Sequence, residues 1–187
     1  DALIRGFSWL YAVNTAEAEL AVPEGYRHFN AFFTRSLRTG ARPLDPDPQQ
    51  LLAPADGTIA QLGRASNGQL IQAKGIHFSA ADLLGDAKLA DLLADAAYMT
   101  IYLAPYNYHR LHMPVDGRLQ RSVFIPGLLY SVNARSTALV PGLYARNERL
   151  VCEFSSPAGP FAMVLVGAMN VASISTAWGG EIFPTPD

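Results

Sequence analysis

Two imidazoles stand three residues apart in "YNYHRLHMP", His109 and His112, with Pro105 just before the stretch and Pro114 closing it. Prolines at both ends leave room for a helical turn but not for a long helix, and residues three apart in such a turn share a face. The two rings could therefore converge on one point or point apart. Structural hydrogen bonding, metal ligation and acid/base catalysis all suit such a pair. Zinc asks for a third ligand and usually a wider histidine spacing on a longer helix, and the nearby carboxylates Asp56 and Asp116 are not specific enough to make that case. Acid/base work asks only for an imidazole near its ordinary pKa of about 6.5 and a carboxylate that fixes its tautomer. Asp56, in "APADGTI", can supply that carboxylate, although Asp-Gly before a strand also reads as ordinary turn chemistry. A nucleophile is missing. The lone cysteine, Cys152, alternates with Leu150 and Phe154 on one face of the strand "LVCEF" and reads as a buried structural thiol.

The elements that must hold these residues change character along the chain. "DALIRGFSWLYAVN" places Leu3, Phe7, Leu10 and Tyr11 at helical spacing, with Ile4, Trp9 and Val13 widening the apolar face. Such a helix suits packing on the domain or lying in a lipid headgroup boundary. "YRHFNAFFTRSL" predicts a second helix with Phe29, Phe32, Phe33 and Leu37 on one face, and with Arg27, His28, Arg35 and Arg38 on the polar side. The three prolines of "TGARPLDPDPQQ" end the helical pattern, so residues 1–45 read as an N-terminal helical, membrane-associating segment and 46–187 as a β-rich catalytic domain.

Beyond Leu51 the pattern is one of short apolar runs separated by Gly and Pro. "TIAQLGR" and "QLIQA" flank Asn67-Gly68 and predict a hairpin. "SAADLLGDAKLADLLAD" predicts two helical turns interrupted at Gly85, with Ser79 as N-cap. "YMTIYLA", "GRLQRSVFI", "RLVCEF", "FAMVLVGA" and "VASISTAW" predict strands. His77, in "AKGIHFSAADLL", reads as a surface loop residue, in a segment whose aromatic and leucine content also suits a lip that touches lipid. The fold class expected is α+β, a β-rich sandwich or barrel-like sheet system with a helical N-terminal segment.

Composition narrows the function classes. A net charge of −2 and a charged fraction of 16% provide no field for nucleic acid, and half the residues are hydrophobic, which excludes disorder and admits lipid as a partner. One cysteine rules out an internal disulfide framework. No apolar run approaches the roughly 20 residues that cross a bilayer, and no signal peptide is recognisable.

Several segments occur together and in order: "FNAFFTRSLRTGARPLD", "LLAPADGTIAQLG", "QAKGIHFS", "YLAPYNYHRLHMPVDGRL", "PGLLYSVN", "LYARNERLV" and "VLVGAMNVASI". From about Phe29 onward the chain resembles the phosphatidylserine decarboxylases. The resemblance implies a precursor that cuts its own backbone at a Leu-Gly-Ser-Thr motif, leaving a pyruvoyl group at the head of a small α chain and a larger β chain ending at the glycine. It implies that Asp56 orients His112, which deprotonates the attacking serine. It further implies that His109 serves the second reaction, in which phosphatidylserine forms a Schiff base with the pyruvoyl group, loses CO₂ and becomes phosphatidylethanolamine. No Leu-Gly-Ser-Thr occurs here, so the expectation is a β chain or part of one, with the covalent pyruvoyl group on a separate α chain. The other expected partners are phosphatidylserine and a membrane surface, with a homodimer compatible and no metal required. The expected location is peripheral, on the cytoplasmic face of a bacterial inner membrane. Two rival readings are a metal-dependent hydrolase using Asp56, His109 and His112, and a non-catalytic lipid-binding homologue.

Overall fold

Three phenylalanines in five residues organise the N-terminal region. In the computed structural model, which describes residues 1–47, 49–169, 171 and 173–182, helix α1 (Ala2–Leu10) packs on the short helix α2 (Phe29–Phe33). Phe7 lies 4.9 Å from the Phe29 ring and 6.1 Å from the Phe33 ring, both edge-on, and Ile4, Val13, Tyr26 and Phe32 complete the cluster. The apolar surface of α1 is split. Ile4 and Phe7, three residues apart, pack inward, whereas Leu3 and Leu10, seven apart, are 65% and 66% exposed and Trp9 is 84% exposed. The second helix is shorter than the pattern predicts. It stops at Phe33 with Thr34 as C-cap, so helical periodicity no longer governs Arg35, which is buried rather than on a polar face. His28 is exposed and also caps α2, its Nδ1 accepting the Ala31 N–H at 3.1 Å.

Packing groups the chain into two units, Asp1–Ile59 with Ile101–Asp116, and Ala60–Thr100 with Gly117–Asp187. The proline-rich stretch near residue 45, which ends the helical pattern, lies within the first unit. Strands β1 (Thr58–Arg64) and β4 (Ala97–Tyr102) pair with each other. The turn at Asn67-Gly68 forms as predicted, with both residues at positive φ (50° and 70°) and Ser66 and Gln69 exchanging backbone hydrogen bonds. It does not join a hairpin, however. β2 (Gln69–Ala73) pairs instead with β3 (Ile76–Ser79) across Lys74-Gly75, where Gly75 supplies the positive φ of 75°. His77 therefore sits on the exposed face of a strand and not in a loop.

The second unit is centred on the antiparallel sheet β5 (Arg118–Ile125), β6 (Arg149–Ser156) and β7 (Gly159–Val166), with β6 in the middle. The strand β6 is buried on both faces. Val151 meets a cluster from α3 (Ala80–Leu84), α4 (Ala87–Leu92) and α6 (Leu143–Arg146), while Leu150, Cys152 and Phe154 pack with Ile174 of β8 (Ile174–Thr176), which pairs with β9 (Gly180–Ile182). Burial pushes the Cys152 thiol up to about 11, as suits an inert core group. Helices α3 and α4 form as read, with Ser79 Oγ accepting from the Ala81 and Asp82 N–H groups and Gly85 left-handed at φ 63°. The architecture is α+β, with strands in sheets of two or three, and among the described residues no sheet closes into a barrel.

Buried polar side chains knit this unit. Gln72 Nε2 donates to the Thr137 and Val140 carbonyls, both at 2.7 Å, at the end of α5 (Ala134–Leu139), and its Oε1 accepts from Leu143 N–H. Arg149 donates to the carbonyls of Asp82, Leu83, Ala145 and Asn147, closing the C-terminal ends of α3 and α6. Asn147, fully buried, accepts from Tyr130 N–H and donates to the carbonyls of Tyr130 and Gly167. Asn147→Ala strands these three backbone groups and should cost about 2–3 kcal/mol of stability in urea denaturation, well beyond an average surface change. A loss within experimental error would show that the three bonds are dispensable.

Candidate active site

The histidine segment is shaped by the turn that precedes it. Ala104 N–H donates to Asn107 Oδ1 at 2.7 Å and Asn107 N–H donates to Ala104 O at 2.9 Å, so the chain turns there and continues without a helix through His112. The expected helical turn is absent because the Asn107 side chain takes over the backbone pairing that a helix would use. Two further bonds, Leu52 N–H to Pro114 O and His112 N–H to Pro54 O, both at 2.8 Å, pair residues 52–54 with 112–114 in antiparallel fashion. They bring the Asp56 segment to the histidine segment. Gly57 is needed there for clearance, since a Cβ would lie 2.6 Å from the Tyr102 carbonyl oxygen.

The two imidazoles have separate environments. His109 is half-buried, its ring 4.0 Å from that of Phe33 between centroids, and its Nδ1 donates to the Asn107 carbonyl at 2.8 Å. A carbonyl only accepts, so Nδ1 carries the proton and Nε2 of the neutral ring keeps a free lone pair. Burial holds the His109 pKa below its usual value, the bond to Asn107 opposes that shift, and the Arg35 charge adds to it. His112 is exposed, with Nε2 3.0 Å from the Tyr108 hydroxyl and its ring stacked on the phenol at 5.6 Å. Tyr108 is buried, and loss of solvent raises its pKa, which keeps the phenol neutral and able to donate or accept.

Asp56 is engaged elsewhere. Arg42 Nε donates to both of its oxygens at 3.0 Å, and Arg42 Nη2 bonds Asp56 Oδ2 and, at 3.0 Å, Glu17 Oε2. The two carboxylates push the Arg42 pKa up. No direct hydrogen bond joins Asp56 to His112 or His109 to His112. Asp56 and Tyr108 share the wall of a cavity of about 210 Å³, and the Tyr108 hydroxyl in turn bonds His112. Among the described residues no three His, Cys, Asp or Glu side chains gather as a metal ligand set. Tyr108 and Arg42 both lie in segments that carry the family resemblance, and sequence alone gives neither a role. Tyr108 stands four residues before His112, a spacing that could have flagged it, whereas nothing local pairs Arg42 with Asp56.

The His109 environment has a pH consequence. Its folded pKa lies below the ordinary value of 6.5, so the unfolded chain binds the proton first as pH falls. Stability contributed by the neutral ring is present above pH 6.5 and lost as pH drops through the folded pKa. The urea midpoint of the parent protein should therefore fall more between pH 7.5 and 5.0 than that of His109→Gln. Equal falls would show that His109 is not buried in its neutral form.

Comparison with known proteins places this chain in a family. The sequence profile described as phosphatidylserine decarboxylase matches residues 29–183. A phosphatidylserine decarboxylase proenzyme of Azotobacter vinelandii is 49% identical over 187 residues, covering the whole of this chain and 65% of the relative. Proenzymes of the same name from Ectopseudomonas mendocina and Pseudomonas aeruginosa are each 51% identical over 185 residues, covering 98% of this chain and 65% and 64% of the relatives. The chain thus spans just under two thirds of the length of the curated relatives it matches. With more than four fifths of its residues inside the profile match and about half identical to these relatives, the chain belongs to the phosphatidylserine decarboxylase family.

Proposed function

We propose that this chain, acting with an α chain of the same precursor, converts phosphatidylserine to phosphatidylethanolamine and CO₂ at a membrane surface. The observation that carries this reading is that His109 and His112 are held by different partners, one by Asn107 and Phe33 and the other by Tyr108. Two reactions, self-cleavage and decarboxylation, need two differently prepared bases. The donor set suits a carbonyl cofactor, since imidazoles and a phenol can pass protons to and from the groups that react beside it. A pyruvoyl group on the α chain supplies a carbonyl that takes up the substrate amine and accepts the electron pair released with CO₂.

His109 has its Nδ1 anchored, so only Nε2 is free to take up a proton, and the imidazolium formed when it does so, made a stronger acid by its lowered pKa, would return that proton to the substrate α carbon. His112, with its ring ordered by Tyr108, is assigned to deprotonating the serine that starts self-cleavage. Asp56 is assigned to orienting His112. Arg42 holds it in this structure, so that role requires Asp56 to exchange partners.

Membrane contact is assigned to the exposed residues Leu3, Trp9 and Leu10 of α1, which suit partial burial in a lipid interface on the cytoplasmic face of a bacterial inner membrane. No helix among the described residues is long and apolar enough to cross a membrane.

In a full-length precursor, His112→Ala should block self-cleavage on a gel, and Asp56→Ala should block it less completely, because a base that has lost its orienting group is misplaced but present. His109→Ala should still cleave yet lose about 10²- to 10⁴-fold in CO₂ release. Equal processing failure in both histidine variants would refute the division of labour. For membrane contact, the double substitution Trp9→Ser with Leu10→Ser should reduce co-sedimentation with anionic liposomes while leaving processing intact. Unchanged co-sedimentation would remove α1 from the membrane surface.

A further inference from the structure

The first unit holds another cavity, of about 280 Å³, whose lining shares only Arg35 with the cavity beside Asp56 and includes neither His109 nor His112. Its wall carries Arg27, Arg35 and Arg110 against one carboxylate, Glu19, so three guanidinium charges less one leave a net charge of two positive. Two of its polar groups are buried and unpartnered. Arg35 is 3% exposed, and its Nε and Nη1 have no hydrogen-bond acceptor among the described residues, while its Nη2 reaches the Tyr106 carbonyl only at 3.4 Å. The Tyr26 hydroxyl, on a residue 7% exposed, likewise has no partner. Arg35 Cζ lies 5.2 Å from the Phe32 ring and feels the charges of Glu17 and Asp56, but neither supplies the hydrogen-bond acceptors that its Nε and Nη1 lack, and native proteins rarely leave buried donors unpaired. Two such groups on the wall of one cavity point to something that completes them.

The remaining groups on this wall define its chemistry. Arg110 spends Nε on the Thr34 carbonyl at 2.8 Å, which leaves its terminal nitrogens as donors. His28 uses Nδ1 as an acceptor for Ala31 N–H, so the neutral ring carries its proton on Nε2. The wall is thus dominated by donors, several of them planar guanidinium forks, which match the oxygens of a phosphate. Leu20, 49% exposed, lines the same cavity and adds an apolar neighbour of the kind a lipid would meet. We propose that this cavity binds a phosphate oxyanion, the form in which a phospholipid headgroup presents itself. The assignment does not depend on the histidine chemistry.

Thermal unfolding of the full-length protein in inorganic phosphate, against sodium chloride at matched ionic strength, tests the site. The midpoint should rise saturably with phosphate. Arg35→Met replaces the buried charge with an apolar chain of similar length, so it should keep or raise the midpoint without phosphate and lose the phosphate-dependent rise. Arg27→Ala, at an exposed position that folding does not require, should weaken the apparent phosphate affinity about tenfold. Co-sedimentation with phosphatidylcholine vesicles, with and without phosphatidic acid, separates the two sources of phosphate. If Arg27→Ala lowers retention on the phosphatidic acid vesicles and inorganic phosphate competes with them, the occupant is a headgroup. If retention is unchanged while the soluble phosphate response is still weakened, the occupant is free phosphate. A midpoint that rises no more in phosphate than in chloride, or that rises equally in the parent protein and Arg27→Ala, overturns the site, and the second result stands even if Arg35→Met fails to fold.

Discussion

The candidate active site depends on two backbone hydrogen bonds. Leu52 N–H to Pro114 O and His112 N–H to Pro54 O join stretches about 60 residues apart in the chain and, with the β1–β4 pairing beside them, give Asp56 and the histidines a common frame. The prolines at both ends of this pairing contribute carbonyls only, so each stretch accepts one bond and donates one, and the pairing cannot lengthen through either proline. The Ala104–Asn107 turn delivers the histidine segment to that frame, and Gly57 lets the Asp56 segment pass the Tyr102 carbonyl.

Within that frame the two imidazoles have different partners. Arg42 ties Asp56 to Glu17, which binds the proline-rich stretch to the histidine site through a single guanidinium. Tyr108 lines the Asp56 cavity and bonds His112, and Phe33 covers His109. A neutral, desolvated His109 and an exposed, phenol-bonded His112 differ in solvent access, in partner and in the nitrogen left free, which are the properties that decide what a base can do.

The second unit shows how the polar residues of "LYARNERLV" serve structure. Arg146 lies 5.0 Å from the Tyr130 ring and donates to its hydroxyl, Asn147 satisfies three backbone groups, and Arg149 collects four carbonyls. A buried guanidinium that closes two helix ends at once fixes α3 and α6 against β6 more sharply than apolar contact can, because each bond has a direction. The family motif here is a packing device.

Local sequence pattern was enough for whatever local forces decide. The α3–Gly85–α4 break, the Asn67-Gly68 turn, the alternation that buries Cys152 beside Leu150 and Phe154, and the joint presence of the ADG and YHRLHMP motifs could all be read in advance, because capping, positive φ and period-two burial act over a few residues. Strand partnership could not. The turn at Asn67-Gly68 formed while β1 went to β4, distant in the chain, and β2 went to β3 across Lys74-Gly75, since pairing is settled by which strand offers a matching edge. Arg35 read as a solvated helix residue and is buried, because the helix that set its periodicity stops two residues earlier. The grip of Arg42 on Asp56 spans 14 residues and that of Asn107 on His109 is a backbone contact, neither of which leaves a periodic trace in the chain. Residue types and their order determined which chemistry this protein can host. Tertiary structure alone decided which nitrogen of His109 is free and which partner each acid and base holds, because those depend on burial and on contacts between segments that sequence does not place side by side.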